Sequence, residues 1–322
     1  MEWKNRVTKL LGCKYPIIQG AFGGFGRSDL ATAVSAAGGF GIITASALRT
    51  PEKLRDDIRK ARSMTDQPFG VNLSVGIRYI DEMREVSIEE RVPVIFTAVY
   101  RSDDHGKRIH EAGLKWVHKV ATIRHALAAE RQGADAVVIV GLEGTGFKSR
   151  EQLPTLVGIT SAARQMKIPI IAAGGIGDAR GFVAALSMGA EGIYMGTRFM
   201  ATKECPISER FKQKLVEAQP WDPEYHDRTL APPNDEDFEI VMKEKDKLSQ
   251  SEWLQRLELL FLKRSPNTQV NWEDDEASLK ITGGSLAVGV IDSVVSVKEL
   301  IDTIIRDAEY ILSKKGNVGK LL

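Results

Sequence analysis

Residues 168–202 read IPIIAAGGIGDARGFVAALSMGAEGIYMGTRFMAT. A short apolar run, Pro169–Ala173, ends in Gly174-Gly175, and a segment with helical spacing begins at Asp178. A second apolar run, Gly192–Met195, then ends in Gly196-Thr197. Continuous apolar runs, rather than alternating ones, are the mark of strands buried on both faces of a parallel sheet. Two such strands joined through a helix make a βαβ unit. Glycines at the ends of both runs leave backbone N–H groups free beside a helix start, which is how folded chains cradle an anion.

The same alternation extends back to the start of the chain. Six earlier runs read as strands: Tyr15–Gln19, Phe40–Thr44, Phe69–Asn72, Pro93–Thr97, Lys115–Val120 and Ala136–Val140. The helical segments are expected at Ser28–Ala37, Pro51–Ser63, Ile77–Glu90, Asp103–Ala112, Thr122–Gln132, Arg150–Met166 and Asp178–Ser187. Eight strand–helix units in about 200 residues match a closed (β/α)8 TIM barrel better than an open sheet. Ser28 is an expected N-cap, as is Asp178, and Pro51 suits a first helical turn. The amphipathic segment Ser296–Lys314 supplies the last outer helix.

Between roughly 207 and 285 the pattern breaks. Trp221, Trp253, Trp272 and several prolines appear, with acidic clusters at Asp235–Asp237 and Glu273–Glu276. The expected organisation is therefore a barrel over residues 1–206, an inserted helical subdomain over 207–285, and a closing C-terminal helix within 286–322. Helical spacing within the insertion recurs at Phe238–Lys247 and Glu252–Lys263. An insertion at that point of a barrel is expected to lie over the C-terminal mouth, with a packing or oligomer contact as the alternative.

Composition narrows the function classes. Lys+Arg is 44 and Asp+Glu is 43, a net charge of +1 that offers no basic excess for nucleic acid. No apolar run approaches a membrane span. The opening MEWKNRVTKLLGCKYP lacks an apolar segment with a cleavage site, so the expected location is cytoplasmic. Cys13 and Cys205 are expected as free thiols.

Several blocks resemble the nitronate monooxygenase family, formerly 2-nitropropane dioxygenases, and the related flavin-dependent enoyl-acyl-carrier-protein reductases. They are YPIIQGAFGG at 15–24, ATAVSAAGGFGIITA at 31–45, PFGVNL at 68–73, GADAVVIVGLEGTG at 133–146, IPIIAAGGIGDARG at 168–181 and GAEGIYMGTRF at 189–199. GGSLAVGVIDSVVSVKELIDTII at 283–305 resembles the closing segment more loosely. The resemblance implies an FMN-binding barrel. Gly20, Ala21 and Phe22 would run along the flavin ring and Asn72 would hydrogen-bond it. Gly174, Gly175, Gly196 and Thr197 would hold the phosphate, and Gly146 also belongs to the expected cofactor site. Lys119, at the end of strand five, is a further candidate whose cation would face the ring, a solvated rim lysine being the alternative.

The sequence departs from the family at one position. The family pattern Gly-x-Glu-(Ala/Ser)-Gly-Gly-His becomes Gly141-Leu142-Glu143-Gly144-Thr145-Gly146-Phe147 here. A phenyl ring neither gives nor takes a proton. Of the five histidines, His118 beside Lys119 is the best-placed substitute, so His118 and Lys119 are the catalytic candidates. The spacing of His105, His110, His118 and His125 fits no common zinc pattern, and no metal is expected. Tyr194 is a core residue or a polar group of the mouth, and Glu143 a brace for the strand-six loop. The expected function is FMN-dependent oxidation of alkyl nitronates with O2. NAD(P)H-dependent reduction of an enoyl thioester or quinone is the first alternative, and flavin binding without turnover the second. The expected partner is a small-molecule substrate, with a homodimer as the assembly considered.

Overall fold

The computed structural model describes residues 2–21, 25–74, 79–98, 103–146, 149–230 and 283–313, with a few positions between 240 and 256. Eight strands form one parallel sheet: β1 (Ile17–Gln19), β2 (Gly41–Thr44), β3 (Phe69–Ser74), β4 (Val94–Ala98), β5 (Lys115–Val120), β6 (Ala136–Val140), β7 (Ile170–Ala173) and β8 (Gly192–Met195). Each pairs with its sequence neighbour from β2 to β8, and β8 pairs back onto β1. The remaining seam, between β1 and β2, is closed by a parallel bridge from Ile18 to Phe40. The sheet is thus the expected (β/α)8 barrel.

The seam needs side-chain help. Gln19, fully buried on β1, reaches across to β2. Its Oε1 accepts from the Ile42 amide at 3.2 Å, and its Nε2 donates to the Ile42 carbonyl at 3.0 Å. The primary amide of one side chain so replaces the missing stretch of ladder.

Inside the barrel lie Ile18, Phe40, Ile42, Phe96, Val117, Val138, Ile171 and Tyr194, while the alternate residues face the outer helices. The lower end is plugged by α1 (Arg6–Leu11), whose Val7 and Leu11 join the inner cluster. Asn5 caps α1, and its side-chain amide also donates to the Glu191 carbonyl at 2.6 Å.

The outer ring comprises α2 (Ser28–Ala36), α3 (Ala45–Leu48), α4 (Pro51–Met64), α5 (Ile80–Glu89), α6 (Asp103–Glu111), α7 (Ile123–Arg131), α8 (Thr155–Ala163) and α9 (Ala179–Ser187). The C-terminal helix Val297–Ser313 packs against α9 and α2 and completes the ring. Asp178 caps α9 as expected, accepting from Gly181 at 2.8 Å. Two expectations need correction. Ser28 is not the cap of α2: Arg27 holds that place, and both the Ser28 amide and its hydroxyl donate to the buried Asp57 of α4, at 2.9 and 2.6 Å. Helix α8 starts at Thr155 rather than Arg150, because Pro154 disfavours helical backbone at Leu153.

After β8 come α10 (Thr197–Met200), α11 (Glu209–Glu217) and α12 (Pro223–Leu230). Most of the expected insertion, including nearly all of Glu252–Lys263, lies outside the described residues. The chain returns at Gly283, and a 3-10 turn over Leu286–Val290 packs against α10 and α12. No helix among the described residues is long and apolar enough to cross a membrane.

Candidate active site

The C-terminal ends of the strands bring most of the expected site residues to one mouth. Its floor is aromatic. The Phe40 and Phe96 rings are 6.1 Å apart between centroids, and Phe96 and Tyr194 are 6.4 Å apart. The buried Tyr194 hydroxyl accepts from the Ala21 amide at 2.5 Å, so β8 holds the start of the loop after β1. Burial pushes this phenol well above its ordinary pKa, which keeps it protonated. Gly20 is pressed against the top of β8: its amide donates to the Met195 carbonyl at 2.6 Å, and a Cβ there would meet that oxygen at 2.9 Å. Phe22 lies outside the described residues.

Two polar groups on the inner wall stand out. Asn72, buried near the end of β3, has an Oδ1 with no hydrogen-bond partner. Its Nδ2 makes only a long 3.4 Å contact to Ser74 Oγ. A buried amide oxygen left without a donor costs about 1–3 kcal/mol, so it signals a missing partner. The second group is Lys119 of β5. Its Nζ lies 5.9 Å from the centroid of the Tyr194 ring. No ion pair or hydrogen bond to that ammonium exists among the described residues. Desolvation lowers its pKa to about 8.

Around the rest of the rim, the loops after β6 and β7 are packed backbone on backbone. Gly174 and Gly175 have φ of 105° and 71°, the left-handed region that favours glycine. A Cβ on Gly174 would meet Thr155 Oγ1 at 2.9 Å, and one on Gly175 would meet Glu143 Cβ at 3.1 Å. Glu143 ties these loops to α8. Its Oε2 accepts from the Thr155 amide and hydroxyl, at 2.9 and 2.8 Å, which places a carboxylate at a helix start. Its own carbonyl accepts from Leu286, so the returning C-terminal segment also touches this loop. At the top of β8, Gly196 is the N-cap of α10, and the buried Thr197 hydroxyl is bonded to Ser285 Oγ at 2.9 Å.

His118 is not brought to this mouth. It is adjacent to Lys119 in a strand, so the two side chains point to opposite faces. His118 faces the helices, where its Nδ1 contacts Thr97 Oγ1 at 2.8 Å and its ring lies 5.9 Å from Trp116. Burial lowers its pKa to about 4. His110 is paired with Asp135, at 2.9 Å, and His226 with Asp227. Both cysteines are free, and burial raises both thiols. Phe147 and Lys148 lie outside the described residues. Sequence reasoning missed Gln19, Thr155 and Ser285. Nothing in their spacing marks them, since each acts on backbone or on a partner distant in sequence.

The sequence profile described as nitronate monooxygenase matches residues 4–83 and 72–224, which is most of the barrel. The chain belongs to the nitronate monooxygenase family. A probable nitronate monooxygenase of Staphylococcus aureus is 32% identical over 264 residues, covering 68% of this chain and 74% of that protein. A Mycobacterium tuberculosis relative, (3aS,4S,5R,7aS)-5-hydroxy-7a-methyl-1-oxo-octahydro-1H-indene-4-carboxyl-CoA dehydrogenase, is 34% identical over 219 residues. That match takes in 68% of this nitronate monooxygenase family member but only 61% of the dehydrogenase. Among solved structures, FabK from Thermotoga maritima superposes with a TM-score of 0.78 at 32% identity, covering 98% of this chain and 99% of that one. A nitroalkane oxidase from Streptomyces ansochromogenes gives 0.71 at 21% identity, a likeness of fold.

Proposed function

We propose that this protein is an FMN-dependent oxidoreductase of nitronate monooxygenase type, oxidising an alkyl nitronate with O2. The observation that carries this reading is the pair of unpartnered polar groups on the inner wall, Asn72 Oδ1 and the Lys119 ammonium, above an aromatic floor. A flavin ring has N–H donors suited to Asn72 and a flat face suited to the backbone at Gly20 and Ala21. The left-handed glycines at 174 and 175, with Gly196 and Thr197 beyond, fit a phosphate held largely by backbone. The near-neutral charge of the chain fits as well, since such a cradle needs no basic cluster.

When bound, FMN supplies the capacity to accept electrons from the substrate and hand them on. The chain does the rest. Asn72 would hold the ring through its unpartnered Oδ1, and Tyr194 fixes the strand-one loop through the Ala21 amide. Lys119 favours an anion in the chamber, which suits a nitronate, and the apolar wall around it limits water.

A second reading is reduction of an enoyl thioester with NAD(P)H as electron donor. It is favoured by the likeness to FabK over nearly the whole of both chains. One experiment separates the two. Protein loaded with FMN is mixed with ethylnitronate in air, and without air with NADH or NADPH. Nitrite release with O2 uptake supports the first reading. Bleaching of the flavin by a nicotinamide, without nitrite formation, supports the second. A folded protein that takes up no FMN refutes both.

A further inference from the structure

Phe147 can neither give nor take a proton. Proton transfer therefore needs another group. Tyr194 is a poor base, because burial holds its phenol protonated and its oxygen already accepts from Ala21. His118 is on the far side of the sheet. Lys119 is different: it faces the chamber, and no carboxylate among the described residues neutralises it. A Cβ built on Gly146 would come within 3.5 Å of its Nζ. The amine thus abuts the residue that immediately precedes Phe147 in the chain.

We propose that Lys119 is the proton-transferring group of this chamber, acting as the base toward a neutral nitroalkane. The proposal rests on the reading of this mouth as a nitronate-oxidising site. In the step, the lone pair of the neutral amine forms an N–H bond with the α-hydrogen. The C–H bond breaks, and its electron pair moves onto the nitro group. The products are a nitronate anion and the Lys119 ammonium beside it, with charge balanced and no oxidant consumed. The ammonium later returns its proton to water. Lys119 is half-buried, and desolvation lowers the pKa of its amine to about 8, which leaves a fraction unprotonated at neutral pH. Among the described residues the titratable side chain facing it is Tyr194 from β8, and its ladder neighbours Ala98 and Val138 carry no charge.

The test is exchange of the α-hydrogens of nitroethane with D2O, followed by NMR on the FMN-loaded protein without air. Wild-type exchange should rise with pH through about 8, the range of the amine. In Lys119→Met it should fall by about 100-fold or more, the usual contribution of a positioned base. The loss of turnover should be far larger with nitroethane than with ethylnitronate. Lys119→Arg should not rescue exchange, because a guanidinium stays protonated. Should the methionine variant fail to fold, Lys119→Ala with added propylamine serves instead, and rate should return in proportion to free amine. Exchange at the wild-type rate in a folded Lys119→Met, or none above solvent in wild type, would overturn the proposal. Failure of the oxidase reading looks different: exchange persists, but ethylnitronate yields no nitrite.

Discussion

Replacing Gln19 by leucine should open the barrel along its weakest seam. Leucine nearly preserves the volume, so the cavity contribution is small. What is lost is the pair of hydrogen bonds to Ile42, at 3.2 and 3.0 Å, which leaves one buried N–H and one buried C=O without partners. Each orphaned group costs about 1–3 kcal/mol, so the sum is about 2–6 kcal/mol. The site is near the mouth, and water reaching the gap would bring the cost toward the lower end. Equilibrium urea unfolding followed by far-UV circular dichroism measures it, as a lower midpoint at unchanged slope. FMN affinity should weaken as well, because Gly20 and Ala21 continue directly from Gln19. A Gln19→Leu protein within about 0.5 kcal/mol of wild type would show that the seam is held by other contacts.

Three more outcomes can be checked. Gly175→Asp should abolish FMN retention, since it sets a carboxylate at the phosphate cradle and a Cβ at a φ of 71°; a folded variant with normal flavin absorbance would refute the placement. His118, with its pKa lowered from 6.5 to about 4, binds a proton more readily when unfolded, so stability should fall as pH drops from 6.5 toward 4. His118→Gln should flatten that slope in urea titrations, and an unchanged slope would mean that other groups cause it. Lys119→Met should stabilise the flavin-free protein by removing a desolvated cation. Its gain in melting temperature should be largest below pH 8 and shrink toward pH 10.5, as the wild-type amine discharges in the fold before it does in the unfolded chain.

The strands were almost fully legible in the sequence. β5, β6 and β8 coincide with the apolar runs, β4 is shifted by one residue at both ends, and the others differ by one or two residues at one end. Runs such as AVVIV at 136–140 are buried on both faces and have few alternatives. Helix starts were less legible where the apolar spacing ran past a proline, as at Arg150–Pro154. The left-handed turns at Gly174 and Gly175 in the candidate site were legible because backbone geometry dictates residue type there. A side chain that serves a distant backbone was illegible, as Gln19 is for Ile42, whereas Glu143, expected as a brace for the strand-six loop, does hold it through Thr155. The pairing of His118 with Lys119 as joint candidates overlooked strand alternation, which already placed them on opposite faces.

The contact between the Tyr194 hydroxyl and the Ala21 amide also sets an order of events during synthesis. Strand one leaves the ribosome before its partner β8 and the tyrosine that fixes its loop, which are made some 170 residues later. Until then the loop after strand one lacks the support of the Tyr194 hydroxyl, and long-range pairing of this kind is slow to form. A nascent chain released or stalled before β8 would be left with exposed strand edges at both ends of the six-stranded sheet from β2 to β7, the kind of surface that chaperones shield. If the proposed function holds, capture of FMN would be a late step in the birth of this protein, whatever its affinity once the ring of strands has closed.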